Sequence, residues 1–103
     1  MRRAAKVDAN HSAIVAELRR QGASVQSLAM VGDGCPDLLV GYGGVNALME
    51  IKDEDQPASK RRLNYQQALW HAYWKGPVLL VESPEDAIQK LGELVGEHWR
   101  KSA

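Results

Sequence analysis

The chain has 103 residues, 45% of them hydrophobic and 25% charged, with 13 basic and 13 acidic side chains cancelling to zero net charge. That balance excludes intrinsic disorder, which needs low hydrophobicity and a large unbalanced charge, and the length suits a single domain over residues 1–103. No uncharged stretch is long and apolar enough to cross a bilayer, the basic start (Arg2, Arg3, Lys6) leads into no apolar signal core, and the lone Cys35 excludes an internal disulfide or a cysteine-paired zinc site. Membrane association is therefore not expected, and a reducing cytoplasmic location is.

Asp8, Asn10 and Ser12 can each cap a first helix whose inward face is Ile14, Val15 and Leu18 and which ends at Gln21-Gly22. Residues 25–31, closed by Gly32-Asp33-Gly34, read as a strand. Residues 38–40 and 45–51 flank Gly43-Gly44, the pair favoured in a two-residue primed turn, and predict a hairpin. The charged, proline-containing stretch 53–59 reads as a mobile loop. Residues 63–74 have helical spacing, with Leu63, Ala68, Leu69, Ala72 and Tyr73 as the apolar positions, and stop at Lys75-Gly76-Pro77. A strand over 78–81 follows, then a helix opened by Ser83-Pro84-Glu85-Asp86, where serine caps, proline takes the first turn and the acids complement the dipole. The order α-β-β-β-α-β-α predicts an α/β domain, a small mixed β-sheet flanked by helices.

Charge is unevenly spread along the chain. Residues 50–56 hold Glu50, Asp53, Glu54 and Asp55 against Lys52 alone, whereas 57–75 hold Lys60, Arg61, Arg62 and Lys75 with no acid. An acidic centre beside basic segments suits a polyanion held around a metal-binding centre.

The hairpin sharpens this reading. With Gly43 and Gly44 as the turn, Tyr42 pairs with Val45, Asp37 falls opposite Glu50, and the two-residue side-chain period puts Lys52 on the same face. Opposed carboxylates with Cβ atoms about 5 Å apart repel unless a cation sits between them. Their oxygens suit a hard divalent ion, Mg²⁺ or Mn²⁺, and Lys52 supplies a positive charge for a phosphate beside it.

Gly34-Cys35-Pro36-Asp37-Leu38-Leu39-Val40 followed by Glu50-Ile51-Lys52 resembles the Pro-Asp…(Asp/Glu)-x-Lys signature of the restriction-endonuclease-like superfamily, most closely its virus-type replication-repair nuclease (VRR-NUC) branch. Residues 13–91 carry the likeness, including Leu63-Asn64-Tyr65-Gln66-Gln67, similar to the family's Leu-Ser/Thr-x-x-Gln segment. The resemblance implies a restriction-endonuclease-like core, Asp37, Glu50 and the backbone carbonyl of Ile51 as metal ligands, and Lys52 as the catalytic lysine. It further implies Glu17 as a helical acid reaching the metal, and Gln67, or else Gln66, as the residue orienting Lys52 or a water. Asn64 departs from the usual Ser or Thr, and the acidic 53–55 loop from a phosphate-friendly one.

The expected function is metal-dependent endonucleolytic cleavage of DNA, with flapped, branched or junction structures as candidate substrates; the alternative is a non-catalytic DNA-binding or assembly subunit on the same fold. Lys60, Arg61 and Arg62 are the expected phosphate contacts. A homodimer is expected from the need to act on two strands and from Trp70, Tyr73, Trp74 and Trp99, more large rings than a core of this size readily hides. Cys35 reads as a small apolar residue, and His11, His71 and His98 show no metal-ligand spacing.

Overall fold

The computed structural model describes residues 8–102; the basic start lies outside them. Helix α1 (His11–Arg20) buries Ile14 and Leu18 and is closed by Gly22, whose φ of +95° lets its N–H and that of Ala23 turn back onto Arg19 and Leu18. Asn10 occupies the N-cap position without capping. Its amide donates instead to the carbonyls of Lys52 (3.1 Å) and Glu82 (2.8 Å), tying the helix start to the chain leaving two strands.

Strands β1 (Ser24–Ser27), β2 (Leu38–Tyr42), β3 (Val45–Ile51) and β4 (Val78–Val81) form one sheet in the order β1-β2-β3-β4. The first two pairings are antiparallel and β3–β4 is parallel, so the sheet is mixed. The expected first strand is corrected: it starts at Ser24 and stops at Ser27. Beyond it, Gly32, Asp33 and Gly34 all adopt positive φ (77°, 56° and 85°), a backbone no strand can follow, and Met30 and Val31 are exposed. The hairpin turn is built as expected, with Gly43 at φ 58° and Gly44 at φ 80°, and Tyr42 pairs with Val45.

The β3-to-β4 crossover is not a slack loop at its start. Asp53 is buried, its carboxylate accepts the Asp55 N–H (2.9 Å), and Gln56 N–H closes onto Asp53 O (3.0 Å) before a short 3₁₀ turn, Ala58–Lys60. Helix α2 (Tyr65–Tyr73) follows, and α3 (Pro84–Ser102) ends the fold, its Asp86 N–H capped by Ser83 Oγ at 3.0 Å. None of these helices is long and apolar enough to cross a membrane.

The core lies on one face of the sheet, where Leu38, Val40, Met49, Ile51 and Val81 meet Ile14 and Leu18 of α1 and Ala87 and Leu91 of α3. Truncating such fully buried side chains to alanine costs about 2–5 kcal/mol. The opposite face carries Leu39, Leu48 and Glu50 by strand alternation. Leu48 is buried there while Leu39 stays exposed, so that face is covered only toward β3.

Helix α2 lies on this second face and inverts the expected amphipathicity. Leu69 and Tyr73 point to solvent, Ala68 and Ala72 are exposed, and the half-buried positions are Gln67, Trp70 and His71. No residue of α2 is buried. Its inner surface is polar because it meets Glu50 and Lys52 instead of a hydrocarbon core.

Candidate active site

The predicted register carries through: Leu38 pairs with Met49, which puts Asp37, one residue before the ladder, beside the Glu50–Ile51 end of β3. Asp37 Oδ2 accepts the Ile51 N–H at 2.7 Å, which fixes its carboxylate against the strand carrying Glu50. Glu50 is 3% exposed, and burial first, then the Asp37 carboxylate, push its carboxyl up to about 8 despite the Lys52 charge.

Lys52 and Gln67 complete the cluster. Lys52 Nζ lies 3.8 Å from Glu50 Oε2 and donates to Gln67 Oε1 at 3.0 Å, while Gln67 Nε2 donates to Glu50 Oε2 at 3.1 Å. The amide is oriented by Lys52, whose ammonium only donates and therefore takes the amide oxygen. Gln67 is also the third residue of α2, in a reciprocal capping box: its N–H donates to Asn64 Oδ1 (2.9 Å) and its Oε1 accepts from Asn64 N–H (3.0 Å). Asn64 thus serves as the cap, and Gln67, not Gln66, faces the site.

The turn at residues 32–34 sets the height of α2. A Cβ on Gly34 would lie 2.5 Å from the Gln66 carbonyl oxygen, so glycine alone lets this turn touch the backbone of α2 beside Gln67. Cys35, half-buried, has its thiol pushed up by burial and by the Glu50 and Asp37 carboxylates, which leaves it a poor nucleophile.

Two residues unmarked by the expected pattern join the site. His71, one turn after Gln67, brings Nε2 to 3.9 Å from Glu50 Oε1, and burial and the Lys52 charge hold its imidazole below its ordinary value. The helical i, i+4 spacing from Gln67 was its signal. Asp8 lies near enough to Lys52, Asp37 and Asp53 to feel all three charges, and its carboxyl is raised mainly by burial.

Glu17 does not join them. Its carboxylate accepts from Arg20 (2.9 and 2.6 Å) and from Gln21 (2.9 Å), bonds that hold it down to about 2, and it lines a groove with Glu85, Ile88 and Gln89 of α3. Lys60 and Arg62 are exposed and form no ion pair among the described residues, whereas Arg61 is tied to Glu82 (3.0 Å) and the Gln56 carbonyl (3.0 Å). Trp99 sits apart from the other rings, donating to Gly43 O at the hairpin tip (2.8 Å).

Glu50 Oε1 and His71 Nε2 are buried without hydrogen-bond partners, and Glu50 faces a second carboxylate. This donor set fits a hard divalent cation, which would satisfy the orphaned oxygen and screen the repulsion. No three His, Cys, Asp or Glu side chains among the described residues gather into a full cage. Mg²⁺ commonly takes one or two carboxylates and completes its shell with water and phosphate oxygens. Comparison with family models, with curated proteins and with solved structures gave no match to this chain.

Proposed function

We propose that the chain is a metal-dependent DNA endonuclease on a restriction-endonuclease-like core, hydrolysing phosphodiester bonds with Mg²⁺ or Mn²⁺ held by Asp37, Glu50 and the carbonyl of Ile51. The carrying observation is that Lys52, Gln67 and Glu50, from a strand's exit, a helix and the strand, are hydrogen-bonded in a row, with Asp37 pinned on the Ile51 N–H beside them, around a buried Glu50 oxygen that has no partner. The element order around a mixed four-stranded sheet supports the same fold reading.

When bound, the ion supplies Lewis-acid charge that activates water and screens phosphate oxygens. The remaining work falls to side chains already in place. Asp37 is pinned by the Ile51 N–H, so its carboxylate is already oriented beside Glu50 without rotameric cost. Lys52 stabilises the negative charge that grows on the phosphate in the transition state, and Gln67 holds its ammonium at a fixed distance from Glu50. Exposed Lys60 and Arg62 meet the DNA backbone nearby.

The test is incubation of purified protein with duplex, single-stranded, flapped and four-way-junction DNA, with Mn²⁺, Mg²⁺ or EDTA. Cleavage that requires the ion and is lost in Asp37→Ala, Glu50→Ala and Lys52→Ala supports the reading. Folded wild-type protein that leaves every substrate intact in Mn²⁺ overturns it.

A further inference from the structure

Helix α2 turns its polar side inward and leaves its aromatic side uncovered. Tyr73 is 73% and Trp74 51% exposed, and Trp70 and Trp74 stack with ring centroids 4.6 Å apart and planes inclined by 17°. With Leu69, Gln66 and Asp33 they line an open groove of about 450 Å³, and Tyr73 and Trp74 continue it toward Lys75 and Gly76. Burying large rings is among the strongest gains a small domain can make, so two left exposed beside the half-buried Trp70 are costly unless something covers them.

We propose that this face is a stacking shelf for the unpaired bases of single-stranded DNA, which would steer a single-stranded arm past the candidate cleavage site; the inference rests on the nuclease reading and names its substrate class. Two observations select this occupant. The shelf and the site are two sides of one helix, since His71, which reaches Glu50, adjoins Trp70 with ring centroids 6.3 Å apart. Lys75 lines the groove's extension, and the segment that builds the shelf, residues 57–75, also holds Lys60, Arg61 and Arg62 and no acid, a charge that complements a phosphate backbone. Duplex DNA offers its base faces only at an end, whereas unpaired bases stack on aromatic rings whatever their sequence.

Asp33 is the one carboxylate lining the groove, held at a φ of 56°. It opposes phosphate entry, so neutralising it strengthens binding if the shelf is used, and asparagine tolerates that backbone conformation.

The experiment follows tryptophan fluorescence of the full chain in EDTA during titration with oligothymidylate of about ten nucleotides and with a blunt duplex of equal length. Expected are quenching and tighter binding for the single strand, affinity lowered roughly tenfold in Tyr73→Ala and in Trp74→Leu, and affinity raised in Asp33→Asn. Both weakening variants alter exposed side chains, and a thermal melt verifies that they fold. Equal affinity for the two DNA forms, or unchanged binding in both variants, overturns the shelf. So does a two-chain mass by light scattering that falls to one chain in Tyr73→Ala, which makes a second copy the occupant. Cleavage is scored separately in Mn²⁺. Wild-type protein that cleaves duplex but does not favour the single strand refutes the shelf alone, and protein that binds the single strand in EDTA but cleaves nothing in Mn²⁺ refutes the nuclease reading alone.

Discussion

Glu50→Gln makes the metal-free protein more stable at neutral pH while abolishing its proposed chemistry, and the size of the gain follows from the site. Glu50 is buried to 3% exposure against Asp37, so its carboxyl keeps its proton up to about 8 in the folded chain, against an ordinary 4.5. Between those values the unfolded chain releases the proton and the folded chain does not. Stability contributed by this group is therefore fully present below the ordinary value and is lost as pH rises toward 8, at about 1.4 kcal/mol per pH unit. From about pH 5 to pH 7 wild type gives up on the order of 2–3 kcal/mol, and glutamine, which cannot ionise, gives up none.

The assay is urea unfolding in EDTA at several pH values between about 5 and 8, wild type beside variant. The difference in unfolding free energy should widen with pH in favour of Glu50→Gln. Mn²⁺ should reverse the order, because an ion bound at Asp37 and Glu50 favours the ionised carboxylate and stabilises only the wild type, more strongly at higher pH. Parallel pH profiles for the two proteins in EDTA would refute the reasoning.

Other outcomes follow from the same geometry. Gly34→Ala combines a φ of 85° with a Cβ 2.5 Å from the Gln66 carbonyl oxygen, and a thermal melt should show a loss of about 2 kcal/mol or more. Glu17→Gln should leave Mn²⁺ affinity and cleavage unchanged, whereas Asp8→Asn, beside Lys52 and Asp37, should lower cleavage. A metal titration in which Glu17→Gln is the weaker binder would return Glu17 to the ligand set. Lys60→Ala and Arg62→Ala should each reduce the slope of log affinity for DNA against log salt by about one. Arg61→Ala should act chiefly on stability, since it strips Glu82 of its 3.0 Å partner.

The hairpin was legible because two local rules agree. Gly43-Gly44 permits the positive φ of a primed turn, and the period of two then fixes which side chains share a face, so Asp37, Glu50 and Lys52 could be put together before any coordinates. The Ser83 cap was legible for the same reason, as a rule acting within one turn. The orientation of α2 was not. Periodicity groups Leu69 and Tyr73 on one side but is silent on whether that side meets the core or water, and here the polar demands of Glu50 and Lys52 claim the inner side. Glu17 entered the expected site through the resemblance alone, and its place at the edge of an apolar helix face pairs it with Arg20 one turn away. Asp8 could not be recognised because it meets the Lys52 and Asp37 charges only across the fold, while its one local bond among the described residues is its carbonyl accepting the His11 N–H.

Helix α2 has no buried residue, so apolar burial alone does not account for its place on the sheet. What fixes it is the backbone contact with the Gly34 turn and the amide of Gln67, which accepts from Asn64 and Lys52 and donates to Glu50. The first of these bonds starts the helix, and the other two dock it on the charged cluster. Each is worth only about 1 kcal/mol net, but breaking either of the part-buried pair leaves Lys52 or Glu50 without its partner, at a larger cost. Anything that changes the charge of Glu50, a proton or a divalent ion, therefore acts on the bonds that seat α2, and with them on the aromatic face the helix turns outward. The chemical cluster and the proposed DNA-stacking surface are thus two ends of one mechanical element, and Gln67 joins them.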